Sequence, residues 1–192
     1  MIFLVGQHCA GKSRISLFFS RAQFLCIDLG PLLRDIHRRM SSHLGFAEWV
    51  RAGEGMEGKS FTDTRLAEEI SLQLTNGRQH YWQDILIVGS RSVDGVRYLS
   101  ERIGPYQGRK DIIVWVEAPV PILYGRYCLR HQNDSLSYQA FLGLLEADDK
   151  LGLSGLRNAA EFELPNIGSE YELEVHVLAL IRRLGYEQEP NV

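Results

Sequence analysis

GQHCAGKS, residues 6–13, fits the pattern G-x-x-x-x-G-K-[ST] at every fixed position. It follows the apolar run Ile2 to Val5, which reads as a buried strand, and it opens a segment of helical spacing, Lys12 to Arg21. Each fixed residue has a physical reason to be there. Gly6 and Gly11 take backbone conformations closed to most residues, so successive N–H groups can converge on one anion. A helix starting near Lys12 turns its free N–H groups and positive dipole end to the same point. Lys12 brings an ammonium within reach of β- and γ-phosphates, and the Ser13 hydroxyl is placed to ligate Mg²⁺. The run Gly6, Gln7, His8, Cys9, Ala10, Gly11, Lys12, Ser13 and Arg14 is therefore expected to border a polyphosphate, with Ser13 as metal ligand. A fortuitous glycine turn before an amphipathic helix is the competing reading, and the strand–loop–helix context weighs against it. His8 and Cys9 fill variable positions, where the motif demands no chemistry of them.

The bulk properties set this loop in an ordinary globular chain. Its 192 residues suit one domain with a single good core, and 45% hydrophobic with 23% charged residues carries no disorder signature. The net charge of -3 argues against a dedicated nucleic-acid binder. Only Lys12, Lys59, Lys110 and Lys150 are lysines, so 17 of the 21 basic residues are arginine, whose planar fork suits bidentate phosphate recognition. Three widely spaced cysteines, Cys9, Cys26 and Cys128, suggest neither a disulfide framework nor a cysteine-rich zinc site, and the histidines lack metal-ligand spacing. The first residues lack the charged leader of a signal peptide, and no run approaches the roughly 18 apolar residues of a membrane helix. A cytoplasmic protein without a membrane partner is expected.

Short apolar runs alternate with helical spacing along the whole chain. Strands are expected at residues 2–5, 24–27, 85–88, 112–116 and 162–164, and helices at 12–21, 31–40, 121–130, 138–150 and 170–184. Thr62 or Asp63 would cap a further helix running to about Leu74, before a break at Asn76 and Gly77. Residues 45–59 carry four glycines among charges and aromatics and read as a helix-turn excursion outside the core. Continuous apolar strands between helices imply an α/β three-layer fold, a parallel sheet with helices on both faces. His37, His43 and the acid run Glu146, Asp148, Asp149 read as solvated surface.

With the loop in place, the rest of the chain resembles the small P-loop nucleoside and nucleotide kinases, in particular the dephospho-CoA kinase and deoxynucleoside monophosphate kinase-like branch. Four segments carry the resemblance. IDLGPLLRDI, residues 27–36, is similar to the acceptor-facing region, which implies that Arg34 grips an acceptor phosphate and Asp28 serves as an acceptor-side carboxylate. The competing readings are a solvated helix face for Arg34 and a helix N-cap for Asp28. ILIVGSRSVDGVRYL, residues 85–99, looks like the third strand and its turn, with Arg91 on the phosphate-binding arginine position. Val88 stands where an acidic residue is usual. That departure means either that Asp28 takes over the work, that Asp94 reaches in from the turn, or that catalysis is weak. PVPILYGRYCLRHQNDS, residues 119–135, resembles the family's small helical lid (about residues 126–140), with Arg126 and Arg130 on one helix face and Asp134 as the remaining acidic residue. ELPNIGSEYELEVHV, residues 163–177, looks like the final strand and the turn bordering an adenine, which implies a base contact from Asn166 or a plain turn cap.

The resemblance implies an ATP- and Mg²⁺-dependent phosphotransferase acting on a nucleotide, nucleoside or related small phosphate acceptor. Lys12, Arg126 and Arg130 would stabilise the migrating phosphoryl group, Asp28 would orient the acceptor, and Arg34 and Arg91 would bind acceptor phosphate. Phe46 and Trp49, in the glycine-rich stretch, would either stack on the acceptor or close a small apolar cluster, in a region that closes on substrate. Two rivals stay open: a nucleotide-binding regulatory or degenerate protein without efficient transfer, and a kinase modifying a base in nucleic acid. ATP against GTP and the oligomeric state also stay open.

Overall fold

The computed structural model describes residues 1–40, 43–76, 82–104, 108–132 and 136–186. Strand β1 (Ile2–Val5) leads through the glycine loop into α1 (Lys12–Arg21), then β2 (Leu25–Asp28), α2 (Leu29–Arg39), α3 (Phe46–Glu57) and α4 (Phe61–Asn76). Next come β3 (Ile85–Val88), α5 (Val93–Ile103), β4 (Ile112–Glu117), α6 (Val120–Arg130) and α7 (Tyr138–Lys150). Helix α8 (Leu153–Ala159), β5 (Phe162–Pro165) and α9 (Glu170–Arg183) follow. Every strand pairing is parallel, and the order is β2-β3-β1-β4-β5, with β1 at the centre. This is the expected three-layer α/β arrangement.

Strand alternation divides the interior into two layers. Ile2, Leu4, Leu86, Val88, Val114 and Val116 face α1, α6, α7 and α9, where Phe19, Leu123, Phe141, Val177 and Ile181 meet them. Phe3, Val5, Ile85, Ile87 and Trp115 face the other way, onto α2, α3, α4, α5 and α8. Both strand faces are buried because helices cover both, which is why the central strands read as unbroken apolar runs.

Residues 45–59 are not the expected excursion outside the core. They form α3, and Trp49 and Gly53 are buried. A side chain at position 53 would collide with the Phe61 ring, so the glycine serves helix packing rather than a loop. Trp49 meets the Phe61 ring edge-on at 4.9 Å, and His37, expected at the surface, lies 5.1 Å from the Trp49 ring and 5.6 Å from that of Phe46. The neighbouring cap also moves: α4 starts at Phe61, the Ser60 carbonyl accepts from Thr64 N at 2.8 Å, and Thr62 and Asp63 lie inside the first turn. Helices α5 and α8 were not foreseen. Gly77 and Asp134 lie outside the described residues. Among the described residues no helix is long and apolar enough to cross a membrane.

Candidate phosphate-binding site

The loop after β1 emerges at the carboxyl edge of the sheet, flanked by β3 and β4, where open parallel sheets hold their ligands. Gly6 has φ 152 and stands so close to β4 that a Cβ would fall 2.8 Å from the Val116 carbonyl oxygen. Gly11, φ 95, caps α1, and a Cβ there would collide with the Asn166 amide. Cys9 is a non-glycine residue in the left-handed region, φ 63. Ala10 is buried, Gln7, His8 and Cys9 are half-buried, and Ser13 is exposed at the first turn of α1.

Lys12 folds back over the loop, its Nζ donating to the carbonyls of Gly6 at 2.7 Å and Gln7 at 2.9 Å. Burial pulls its pKa down to about 8, against the pull of Asp148 and then Asp28. Burial likewise lowers the His8 pKa and raises that of Cys9, with Arg130 and Lys12 among the charges that act on both.

The loop is braced by Asn166, the residue after β5. This residue is 5% exposed, and its Nδ2 donates to the Ala10 carbonyl at 2.7 Å. Arg126 donates to the Asn166 carbonyl at 2.9 Å, to its Oδ1 at 3.1 Å and to Ala10 O at 3.4 Å. The two residues expected at the base edge and the phosphoryl group therefore grip the loop itself. A cleft of about 340 Å³ opens beside them, lined by Cys9, Gly11, Arg14, Arg130 and Ser169 among others. Arg14 pairs with Glu170 at the N-terminus of α9. Arg130 makes no hydrogen bond or ion pair among the described residues.

On the opposite side, Asp28 ends β2 in register with Val88 and accepts from Gly30 N at 3.2 Å as the N-cap of α2. A Cβ on Gly89 would lie 3.8 Å from Asp28 Oδ1, so the carboxylate overlooks the turn after β3. Buried Ser90 in that turn has a hydroxyl without a partner among the described residues. Arg34, one turn along α2, is exposed and likewise unpaired among the described residues. Asp94 does not reach in: its side chain is 85% exposed and bonds Arg97 at 2.7 Å. Asp84, at the amino end of β3, accepts from Ile85 N at 2.7 Å and from the Tyr186 hydroxyl, a structural use far from the loop.

Arg91 faces a partner the sequence reading placed at the surface. Its Nη1 lies 3.4 Å from Asp148 Oδ1, and Asp148 is only 14% exposed. The signal was present, because Asp148 falls three residues after Leu145 and seven after Phe141, on the buried stripe of α7.

The glycine cradle, its lysine and the parallel sheet define a three-layer P-loop NTPase fold. A shikimate kinase from Acinetobacter baumannii superposes with TM-score 0.53 at 21% identity, covering 97% of this chain and 94% of that one. A gluconokinase from Sinorhizobium meliloti gives 0.58 at 14% identity over 95% and 91%. The protein TT1252 from Thermus thermophilus gives 0.61 at 17% identity over 95% and 96%. No protein-family model matches the chain, and no curated protein does.

Proposed function

We propose that the chain is an ATP-dependent kinase that passes the γ-phosphoryl group to a hydroxyl of a small acceptor. One observation carries this reading: Asp28 stands at the strand end beside an intact phosphate loop, within electrostatic reach of Lys12. The loop amides and Lys12 would hold the β- and γ-phosphates, and the exposed Ser13 hydroxyl fits a divalent cation carried in by the nucleotide. That cation, when bound, would neutralise charge on the phosphates. Asp28 would orient and deprotonate the acceptor hydroxyl, the task for which strand β3 offers only Val88. The base would enter the cleft beside Asn166. Arg130 would meet the phosphates from the lid side, and Arg34 would meet an anionic group on the acceptor.

The acceptor we favour carries its own anion, nucleotide-like as the sequence resemblance implies, because exposed Arg34 makes no ion pair among the described residues. The shared fold with a shikimate kinase and a gluconokinase adds hydroxy acids to the acceptors to be tried. The test is ADP release from ATP and Mg²⁺ over a panel of nucleosides, nucleotides, dephospho-CoA, shikimate and gluconate. Acceptor-stimulated turnover that Lys12→Ala abolishes supports the kinase. Tight ATP binding with no turnover on any acceptor supports the second reading, a nucleotide-binding protein without efficient transfer, which the apolar Val88 favours. Turnover confined to DNA or RNA would point to a base in nucleic acid, against which the net charge of -3 weighs.

A further inference from the structure

Gly152, φ 106, carries the chain from α7 on one face of the sheet to α8 on the other. A Cβ on this glycine would lie 3.3 Å from Ser92 Cβ and 3.7 Å from the Arg91 carbonyl oxygen, so the crossing is seated on the turn after β3. Asp148 stands one helical turn before it, aimed inward, while Glu146 and Asp149 of the same run are exposed. Three elements present charge or a proton site to its carboxylate. Arg91 comes from the β3 turn, His8 from the glycine loop, and Lys12 from the start of α1. Among the carboxylates acting on Lys12 it leads, ahead of Asp28.

An ion pair whose arginine is 61% exposed contributes little to stability, so stability alone does not account for an inward carboxylate here. Two of its three neighbours, His8 and Lys12, belong to the glycine loop and the helix it opens, and Arg91 follows β3 at the same edge of the sheet. We propose that Asp148 is an internal counter-anion of the phosphate cradle: its carboxylate pairs with Arg91 and yields that guanidinium to an incoming polyphosphate. The proposal rests on the phosphate-site reading but not on phosphoryl transfer. Only ion pairs and hydrogen bonds are exchanged. Once phosphates have taken Arg91 and Lys12, Asp148 is left as a like charge beside them, and its repulsion weakens their binding. Residue 148 thereby sets how tightly the site grips phosphate.

Calorimetric titration of the full chain with inorganic pyrophosphate, and separately with ATP and Mg²⁺, tests this. Asp148→Asn is expected to tighten pyrophosphate binding about three- to tenfold, and Asp148→Glu, which keeps the charge, to leave it within about twofold. Arg91→Ala is expected to weaken binding and to shrink the gain that Asp148→Asn confers. A lowered Tm in Asp148→Asn with unchanged or weaker pyrophosphate binding would make the residue structural and overturn the proposal. Loss of Mg·ATP affinity with pyrophosphate binding unchanged would make it a metal ligand and overturn it too. A wild-type chain that takes up no pyrophosphate would sink the cradle itself, a separate outcome from either.

Discussion

Asp28 lies directly across the β2–β3 ladder from Val88, at the carboxyl ends of both strands. The missing acid of the third strand therefore has a counterpart one strand over, at the same height above the sheet. If Asp28 orients the acceptor, Asp28→Asn should lower kcat by about a hundredfold or more while leaving the ATP Kd within about threefold. Steady-state kinetics with calorimetry checks this, and equal losses in both would move Asp28 to a binding or capping role.

Restoring the usual acid at the neighbouring position should fail. Val88 is 2% exposed and packs among Leu4, Leu86 and Val116. Val88→Asp buries a carboxylate in that layer and should cost about 2 kcal/mol or more, measured by chemical denaturation, without raising turnover. A gain in activity at unchanged stability would contradict the burial argument.

The pKa of about 8 at Lys12 has a defined sign for both stability and binding. The folded value lies below the ordinary 10.5, so between pH 8 and 10.5 the unfolded chain holds more protons and stability should rise with pH. Nucleotide binding runs the other way, since phosphates favour the charged amine. Affinity should hold steady below pH 8 and fall by up to about a decade per unit above it, with proton uptake on binding. Titration in buffers of different ionisation enthalpy reads that uptake directly. Lys12→Met should abolish it.

Asn166 is the mechanical link between the last strand and the phosphate loop. Asn166→Ala removes the short donor to Ala10 and leaves its carbonyl only the longer contact from Arg126, at a cost of about 1 kcal/mol. ATP affinity should fall along with stability, because the loop loses the brace that shapes it. If denaturation shows the loss and affinity stays unchanged, the brace serves folding alone.

The fold was legible where apolar runs sit on both faces of a strand, as in Ile85–Val88 and Ile112–Glu117, and where a motif fixes loop geometry, as at Gly6 to Ser13. Composition misled where one residue type serves two purposes. Gly53 looks like a loop glycine, yet it is small because Phe61 needs the room, and Gly53→Ala should destabilise by about 1–3 kcal/mol. Asp148 was passed over because acidity in a run suggests solvent, although its spacing from Phe141 and Leu145 matched the buried side. The engagement of Asn166 and Arg126 with Ala10 was beyond sequence reasoning, since nothing local links residues 10, 126 and 166.

Because neighbouring strand residues point into separate layers, a change such as Ile87→Val is felt among α2 to α5, whereas Leu86→Val is felt among α1 and α9. One layer can thus be remodelled by drift while the other keeps its packing. On the kinase reading proposed above, a descendant could trade one acceptor for another without relearning how to hold its nucleotide.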